Sequence, residues 1–385
     1  MNPPEIDQEA REILATEGLV ARVEADLGRA GIVGEADLRL TLYLVATSRL
    51  LADPLHAIVQ GESSSGKTFV VERIAKLLPE DHLVLATHLS PKALYYLGDL
   101  RHRFLVLGER ARTEGPEIED STKALRELRS SGRLRAQVVG PNGKLLTLDA
   151  EGPVASVETT TKETLFGEDA NRCLLLSTEE TEAQTRNILF AQAAAALGGE
   201  TSDREDLFAL HHAMQVALAE GAPHRVQIPF AWNLAARFPA SRTEARRAHR
   251  MLLGLVEAIA LLHRFQRALA DGRIVATVED YALARRLLAK PLASSIGGAL
   301  PDRIVRFFQE ITEHYRAGDT FASVDLAAKL DIRPQRAGEC LRALRDSGSV
   351  RLTERAKGPN PATWELVSST LPEATFGLPE PEELR

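Results

Sequence analysis

The octapeptide GESSSGKT at Gly61–Thr68 constrains this chain more than any other stretch. It matches G-x-x-x-x-G-K-[S/T] at every fixed position. The pattern functions in one setting: a buried strand delivers the chain to the loop, and a helix starts at its end. Gly61 and Gly66 let the backbone curl so that N–H groups point inward at phosphate oxygens. The helix start adds the positive end of its dipole. Lys67 reaches the β- and γ-phosphates, and Thr68 offers a hydroxyl to Mg²⁺. An apolar run, Ala57–Gln60, precedes the loop and a helical pattern, Lys67–Leu78, follows it. Pattern and flanks therefore agree, against a mere tight turn with an exposed lysine. The candidate nucleotide-binding set is Gly61, Glu62, Ser63, Ser64, Ser65, Gly66, Lys67, Thr68 and the adjoining Phe69.

Four further apolar runs suit buried parallel strands: Leu83–Ala86, Phe104–Leu107, Val154–Val157 and Cys173–Leu176. Helical patterns at Lys67–Leu78 and Pro91–Leu97 separate the first three strands. Strands alternating with helices predict a three-layer αβα sheet. Phe104–Leu107 runs into Gly108-Glu109, the shape of a Walker B strand with glycine in place of its aspartate. Glu109 is the candidate to polarise an attacking water, to hold Mg²⁺ through water, or both; an ordinary surface glutamate is the alternative.

Between the third and fourth strands the chain carries an unusual insert. Ser121–Ser131 reads as a helix stopped by Gly132. Arg133–Val139 and Lys144–Leu148 flank the turn Gly140-Pro141-Asn142-Gly143, a β-hairpin signal. Upstream, Glu5 to Ala52 reads as two or three helices. Downstream of Thr178 the chain turns helical. Arg246 to Leu269 reads as one long apolar-striped helix, and Thr277-Val278-Glu279-Asp280 as a capped start of another. Leu292–Leu300 reads as a linker. From about Pro301 to Val367 the order is three helices (Asp302–Arg316, Ser323–Leu330, Arg333–Asp346), then two strands (Val350–Glu354, Thr363–Val367). That is a winged-helix order. The tail after Ser368 is Pro/Glu-rich and reads as disordered.

Composition sets limits. A length of 385 residues suits two or three domains. Net charge is −7, so any nucleic-acid surface must be local. The two cysteines, Cys173 and Cys340, form no metal-ligand spacing or disulfide framework. No signal core or membrane-length apolar run stands out, so a soluble cytoplasmic protein is expected, with no membrane partner.

In the order GESSSGKT, SPKALYYL, RHRFLVLGE, VETTT, NRCLLL and ARRAHRMLLGLVEAIALLHRFQR, the chain resembles the AAA+ ATPases. More narrowly it resembles the minichromosome-maintenance-like replicative helicases of bacterial phages and mobile elements, over roughly Leu38 to Leu292. The resemblance implies an N-terminal helical segment (1–52), an α/β ATPase core (53–190) with the helix-and-hairpin insert (121–149), and a helical lid (191–300). It also implies a C-terminal winged helix-turn-helix (301–368) ahead of the tail (369–385). It implies ATP with Mg²⁺. Thr159–Thr161 fall at sensor 1, with Thr160 the best single choice; three threonines ending a strand is the plainer reading. Arg172 falls at an arginine finger, a group that reaches the neighbouring subunit's nucleotide and is worth roughly 10³–10⁵ in rate. Arg246 and Arg247 fall at sensor 2, with Arg242 as competitor. The hairpin implies a loop in the pore of a hexamer, where Lys144, Arg133 and Arg135 would meet phosphates of single-stranded DNA; a solvated surface ribbon is the alternative. In the winged module, Arg333, Arg336, Arg342 and Arg345 line one side of the third helix. Ala337, Cys340, Leu341 and Leu344 form the buried stripe, and Arg355 and Lys357 sit on the wing. These cations suit duplex DNA, although such modules also contact proteins.

Three functions compete at this stage. The first is a hexameric DNA-translocating ATPase that works with a primase or other replication proteins. The second is an initiator or helicase loader using ATP as a switch, which Gly108 favours and the hairpin opposes. The third is a nucleotide-gated transcriptional or defence regulator.

Overall fold

The computed structural model describes residues 3–86, 91–109, 116–139, 144–161, 172–197, 202–221, 224–240, 243–296, 302–356, 361–369 and 377–385. Two compact units emerge: Met1–Pro291 together with Gly377–Arg385, and Leu292–Phe376.

The first unit is built on a five-stranded sheet. Its strands are β1 (His56–Gln60), β2 (Leu83–Ala86), β3 (Arg103–Glu109), β6 (Val154–Thr160) and β7 (Leu174–Ser177), in spatial order β2-β3-β6-β1-β7. All pairings are parallel. The five strands centre on short apolar runs, which is why they were visible in the sequence, although β2, at the sheet edge, is only partly buried. The fourth strand in chain order lies between the third and the first. It thus brings the end of β6 beside the loop that leaves β1. Helix α4 (Lys67–Ala75) leaves the phosphate loop, and α5 (Pro91–Tyr95) joins β2 to β3.

Helix α6 (Pro116–Ser131) leads through Gly132, at φ 68°, into a hairpin of β4 (Arg133–Val139) and β5 (Leu145–Glu151). Register runs from Arg133 opposite Glu151 to Val139 opposite Leu145. At the neck, the Gly152 N–H donates to the Gly132 carbonyl at 2.6 Å. Leu134 and Ala150 anchor the base in a cluster with Ala124, Leu125 and Leu128 of α6 and Leu105, Leu107 and Val154 of the sheet.

Helices α1 (Pro3–Ala15), α2 (Leu19–Arg29) and α3 (Ala36–Thr47) pack into the same unit as α7 (Glu182–Ala196), α8 (Ser202–Ala219), α9 (Ala231–Arg237), α10 (Ala245–Leu262) and, up to Pro291, α11 (Val278–Ile296). α1 lies along α8, and α3 along α10. Buried polar pairs fix this packing. Tyr43 meets His211 at 3.0 Å, Gln215 donates to Thr47 at 3.0 Å, and the fully buried Arg49 donates to Gln215 at 2.5 Å. The long helix expected at Arg246–Leu269 ends at Leu262. Leu269–Ala270 instead forms β9, in a small sheet with β8 (Val226–Gln227) and β10 (Arg273–Val275). The expected cap of α11 is present: Asp280 accepts the Thr277 N–H at 2.8 Å.

Two boundaries differ from expectation. Leu292–Leu300 is not all linker, because α11 continues through Pro291 to Ile296. The tail is not wholly disordered either. Residues 377–385 return to the first unit, where Leu378 and Leu384 are buried and Pro379 accepts a 2.7 Å hydrogen bond from the Tyr281 hydroxyl. Arg285 pairs with Glu380, and Glu380 with Glu383 forms a capping box on the closing 3₁₀ turn. A Pro/Glu-rich composition hid these two leucines, which is enough apolar surface to dock a short segment.

The second unit contains α12 (Asp302–His314), β11 (Thr320–Ala322), α13 (Ser323–Lys329), α14 (Pro334–Asp346), β12 (Val350–Glu354) and β13 (Thr363–Leu366). The strands form an antiparallel sheet in the order β11-β13-β12. Its core is Ile304, Phe307, Phe308, Ile311, Leu341, Leu344 and Trp364 with their neighbours, and includes the predicted stripe of Ala337 and Cys340. No described helix is long and apolar enough to cross a membrane.

Deleting residues 377–385 should lower the melting temperature by about 5 °C or more, since two buried leucines contribute roughly 1.5–3 kcal/mol each. An unchanged melt would show that the docked tail contributes nothing to stability.

Candidate nucleotide site

The loop between β1 and α4 has the shape its sequence demands. Ser64 and Gly66 take positive φ, 68° and 89°. Gly61 admits no side chain: a Cβ there would lie 2.3 Å from Thr178 Oγ1 and 2.7 Å from Ser65 Oγ. Lys67 is buried and folds back, donating to the Gly61 carbonyl at 3.0 Å and to the Glu62 carbonyl. Two residues beyond β7 brace the loop. Thr178 Oγ1 donates to Ser65 Oγ at 2.9 Å, and Glu180 accepts the Glu62 N–H at 2.7 Å. Neither was picked out in the sequence, because their positions depend on β7 lying beside β1. The first turn of α4 offers N–H groups that have no intrahelical acceptor. A Gly61 with no room for a Cβ, a lysine at the centre of the loop and the N–H groups of the helix start fit a triphosphate.

The acidic side is sparse. β3 ends at Gly108-Glu109, with a register irregularity between Val106 and Glu109. Glu109 is exposed and stands opposite Thr159. Its Oε1 accepts a 2.8 Å hydrogen bond from Thr161 Oγ1. Glu109 is the carboxylate at this strand end among the described residues, and Thr68, in the first turn of α4, offers an exposed hydroxyl. These two are the groups that would hold Mg²⁺.

The end of β6 distinguishes among the threonines. Thr159 and Thr160 are both buried. Thr160 pairs with Gln60, and its carbonyl accepts the Gly61 N–H at 3.3 Å. The Thr159 hydroxyl, by contrast, is buried with no hydrogen-bond partner among the described residues. Successive strand residues face opposite sides, so the two hydroxyls address different faces. An orphaned buried hydroxyl beside Glu109 calls for a ligand or water. The Thr159 hydroxyl is thus a candidate for a γ-phosphate contact beside Thr160.

A cavity of about 770 Å³ adjoins the loop. Ser64, Ser65, Gly66, Phe69 and Arg73 form one wall; Ile32, Val33 and Glu35 another; Gln184, Ile188 and Ala191 of α7 a third. Gln184 donates to the Val33 carbonyl at 2.7 Å, and a Cβ on Gly34 would meet Gln184 Oε1 at 2.2 Å. Phe69 lies under the Arg73 guanidinium, 5.0 Å from its ring centre. The space and its mostly apolar lining suit a nucleoside. Apart from Phe69 and the loop, these residues come from distant segments that no linear motif unites. Burial pushes the Glu35 carboxyl up to about 7, partly offset by the Glu179 N–H it accepts at 2.8 Å.

The remaining candidates lie elsewhere. Arg172 stands just before β7, at the sheet edge opposite the phosphate loop. Arg246 and Arg247 open α10; one turn on, Arg250 pairs at 2.6 Å with Asp53, which precedes β1. They too lie toward the opposite edge, and Arg246 lines a separate hollow with Phe238 and His249. Arg242 and Lys357 lie outside the described residues, as does the hairpin turn at 140–143. Lys144 is exposed beside the apolar tip residues Val139, Leu145 and Leu146. Arg133 and Arg135 both pair with Asp149, and Arg133 also with Glu151, so the hairpin base carries little net charge. Arg333, Arg342, Arg345 and Arg355 are exposed, and Arg336 is half-buried.

A family model described as the MTBMA_p00010 P-loop domain matches residues 5–207, more than half of the chain, and the chain belongs to that family. The match takes in the three N-terminal helices, the whole five-stranded sheet and the start of α8. No curated protein matches the chain.

Two variants test this geometry. Thr159→Val removes a hydroxyl whose burial costs about 1–3 kcal/mol. It should leave the melting temperature equal or higher while cutting nucleotide turnover at least about tenfold; Thr160→Val should show no such split. A Glu35 carboxyl raised to about 7 contributes stability that is full below pH 4.5 and is lost as pH rises through 7. Glu35→Gln should therefore raise stability at pH 8 by about 2 kcal/mol and leave it unchanged at pH 4, read from denaturant melts.

Proposed function

We propose that this member of the P-loop family is a DNA-translocating ATPase of AAA+ type, working as a hexamer with the nucleotide held between subunits. One observation carries the reading. A helix and a hairpin, α6 with β4 and β5, are inserted directly ahead of the strand that flanks the phosphate loop. A projection so placed is suited to turn events at a γ-phosphate into movement of its tip. The strand order β2-β3-β6-β1-β7 supports AAA+ type, because it seats a sensor strand between the two Walker strands. In this reading the loop and Lys67 hold the phosphates of ATP, while Thr68 and Glu109 face Mg²⁺. Thr159 and Thr160 flank the γ-phosphate. Arg172, on the opposite edge of the sheet, serves a neighbour's nucleotide. Arg246 and Arg247 share that edge and so serve a neighbour more readily than their own site. Bound Mg²⁺ would supply charge neutralisation on the β- and γ-phosphates.

Exposed Lys144 at the hairpin tip gives single-stranded DNA a phosphate contact. The second unit has the element order of a winged helix, and the exposed Arg333, Arg342, Arg345 and Arg355 suit it to duplex DNA. A primase or another replication protein would join such a motor in the cytoplasm.

The neutralised hairpin base favours a second reading, an initiator or loader that uses ATP as a switch. A nucleotide-gated transcriptional or defence regulator is the remaining reading, and no particular contact favours it.

ATPase turnover with and without single-stranded DNA decides between motor and switch. DNA should stimulate the wild type, Lys67→Ala should abolish turnover, and Arg172→Ala should bind nucleotide but not hydrolyse it. Mixing the two variants should restore part of the activity. DNA-independent turnover with no strand displacement would rule out the motor.

A further inference from the structure

Beneath the hairpin lies a buried charge pair to which the site described above assigns no role. Arg129, in the last turn of α6, meets Glu158 of β6 at 2.9 Å, with side chains only 2% and 4% exposed. Arg129 Nε also donates to Ser156 Oγ at 3.1 Å, and Ser156 Oγ lies 3.0 Å from His56 Nδ1 on β1. The pair thus links the helix before the hairpin to the two strands that frame the phosphate loop.

Its position in the chain gives the pair meaning. Three residues after Arg129, Gly132 turns α6 into the hairpin. The hairpin closes at Gly152, hydrogen-bonded to Gly132, and β6 starts at Val154. Arg129 and Glu158 therefore clamp together the two elements from which the hairpin emerges. Glu158 shares a strand face with Ser156 and Thr160, by alternation along β6. One residue past β6, Thr161 holds Glu109. A buried ion pair is a poor way to gain stability, since an apolar pair of like volume does as well or better. What it does supply is one fixed geometry between its partners.

We propose that Arg129 is a positioning residue: through Glu158 it locks α6 to the strand that ends at the nucleotide site, so that a change at Thr159–Thr161 is passed to the hairpin. This rests on the reading that ATP binds at Gly61–Thr68. Removing one partner would strand a buried charge and threaten the fold, so the informative variant replaces both: Arg129→Met with Glu158→Met.

Hydrogen exchange of hairpin amides in residues 133–139 and 145–151, with and without ATP·Mg²⁺, reads the coupling directly. In the wild type, ATP should change hairpin exchange at least about threefold. The double variant should bind ATP with unchanged Kd and lose that response, and its kcat should fall about tenfold with KM held. Arg129→Lys, which keeps the charge, should restore part of the response. A double variant with the wild-type exchange response and kcat would overturn the proposal. So would a wild type that binds ATP with no change in the hairpin, which would leave the nucleotide site standing. A wild type that fails to bind ATP would overturn the nucleotide reading, and the coupling with it.

Discussion

Everything at this site depends on β6 being buried along its whole length between β3 and β1. Parallel pairing on both sides leaves its backbone no freedom, so its last residues fall where the hydrogen-bond ladder sets them. Thr160 is tied to the start of the phosphate loop through Gly61, and Thr159 faces the end of β3. The same burial makes polar residues in the strand expensive unless each has a partner. Glu158 has one in Arg129, and Ser156 has Arg129 and His56. His56 stays neutral there, its pKa pushed down to about 3 by burial and by the Arg129 charge. The Thr159 hydroxyl, at the end nearest the candidate chemistry, has no hydrogen-bond partner among the described residues.

Much of this was legible in the sequence, and the reasons are physical. A short apolar run bounded by polar residues marks each sheet strand, so β2 was placed to the residue and the other four to within one to three residues at either end. Alternation about a glycine-rich turn placed β4 exactly. What escaped notice depended on elements meeting in space. Thr178, Glu180 and Gln184 follow the fifth strand, and their approach to residues 33–35 and 61–65 requires the fold to be known. Thr159 was not singled out for a similar reason: in a run of three threonines, the side chain left without a partner depends on strand phase. That Arg133 and Arg135 share Asp149 as an ion-pair partner could be seen only once the hairpin register was known.

The helices around the sheet hold a second lesson. Residues 1–52 read as a separate segment, yet Tyr43, Thr47 and Arg49 are tied to His211 and Gln215 far along the chain. The N-terminal helices and α8 thus form one packed layer, and the cavity beside the phosphate loop opens between that loop, α7 and the turn before α3. The cavity's walls are cross-linked by hydrogen bonds, Gln184 to the Val33 carbonyl and Thr178 to Ser65, which hold elements distant in sequence around it.

The docked tail has a consequence for the second unit. Because residues 377–385 return to the first unit, residues 292–376 are in effect one long insertion with both ends moored. A terminal appendage is freed by a single cut; a moored one, cut ahead of Leu292, stays attached until a second cut falls before Gly377 or the clasp at Tyr281 lets go. The entropy of closing such a loop grows only with the logarithm of its length, so holding the second end adds little penalty beyond that of the first. Tyr281, Leu378 and Leu384 thereby set the leash on a whole unit, a large effect for nine residues at the end of the chain.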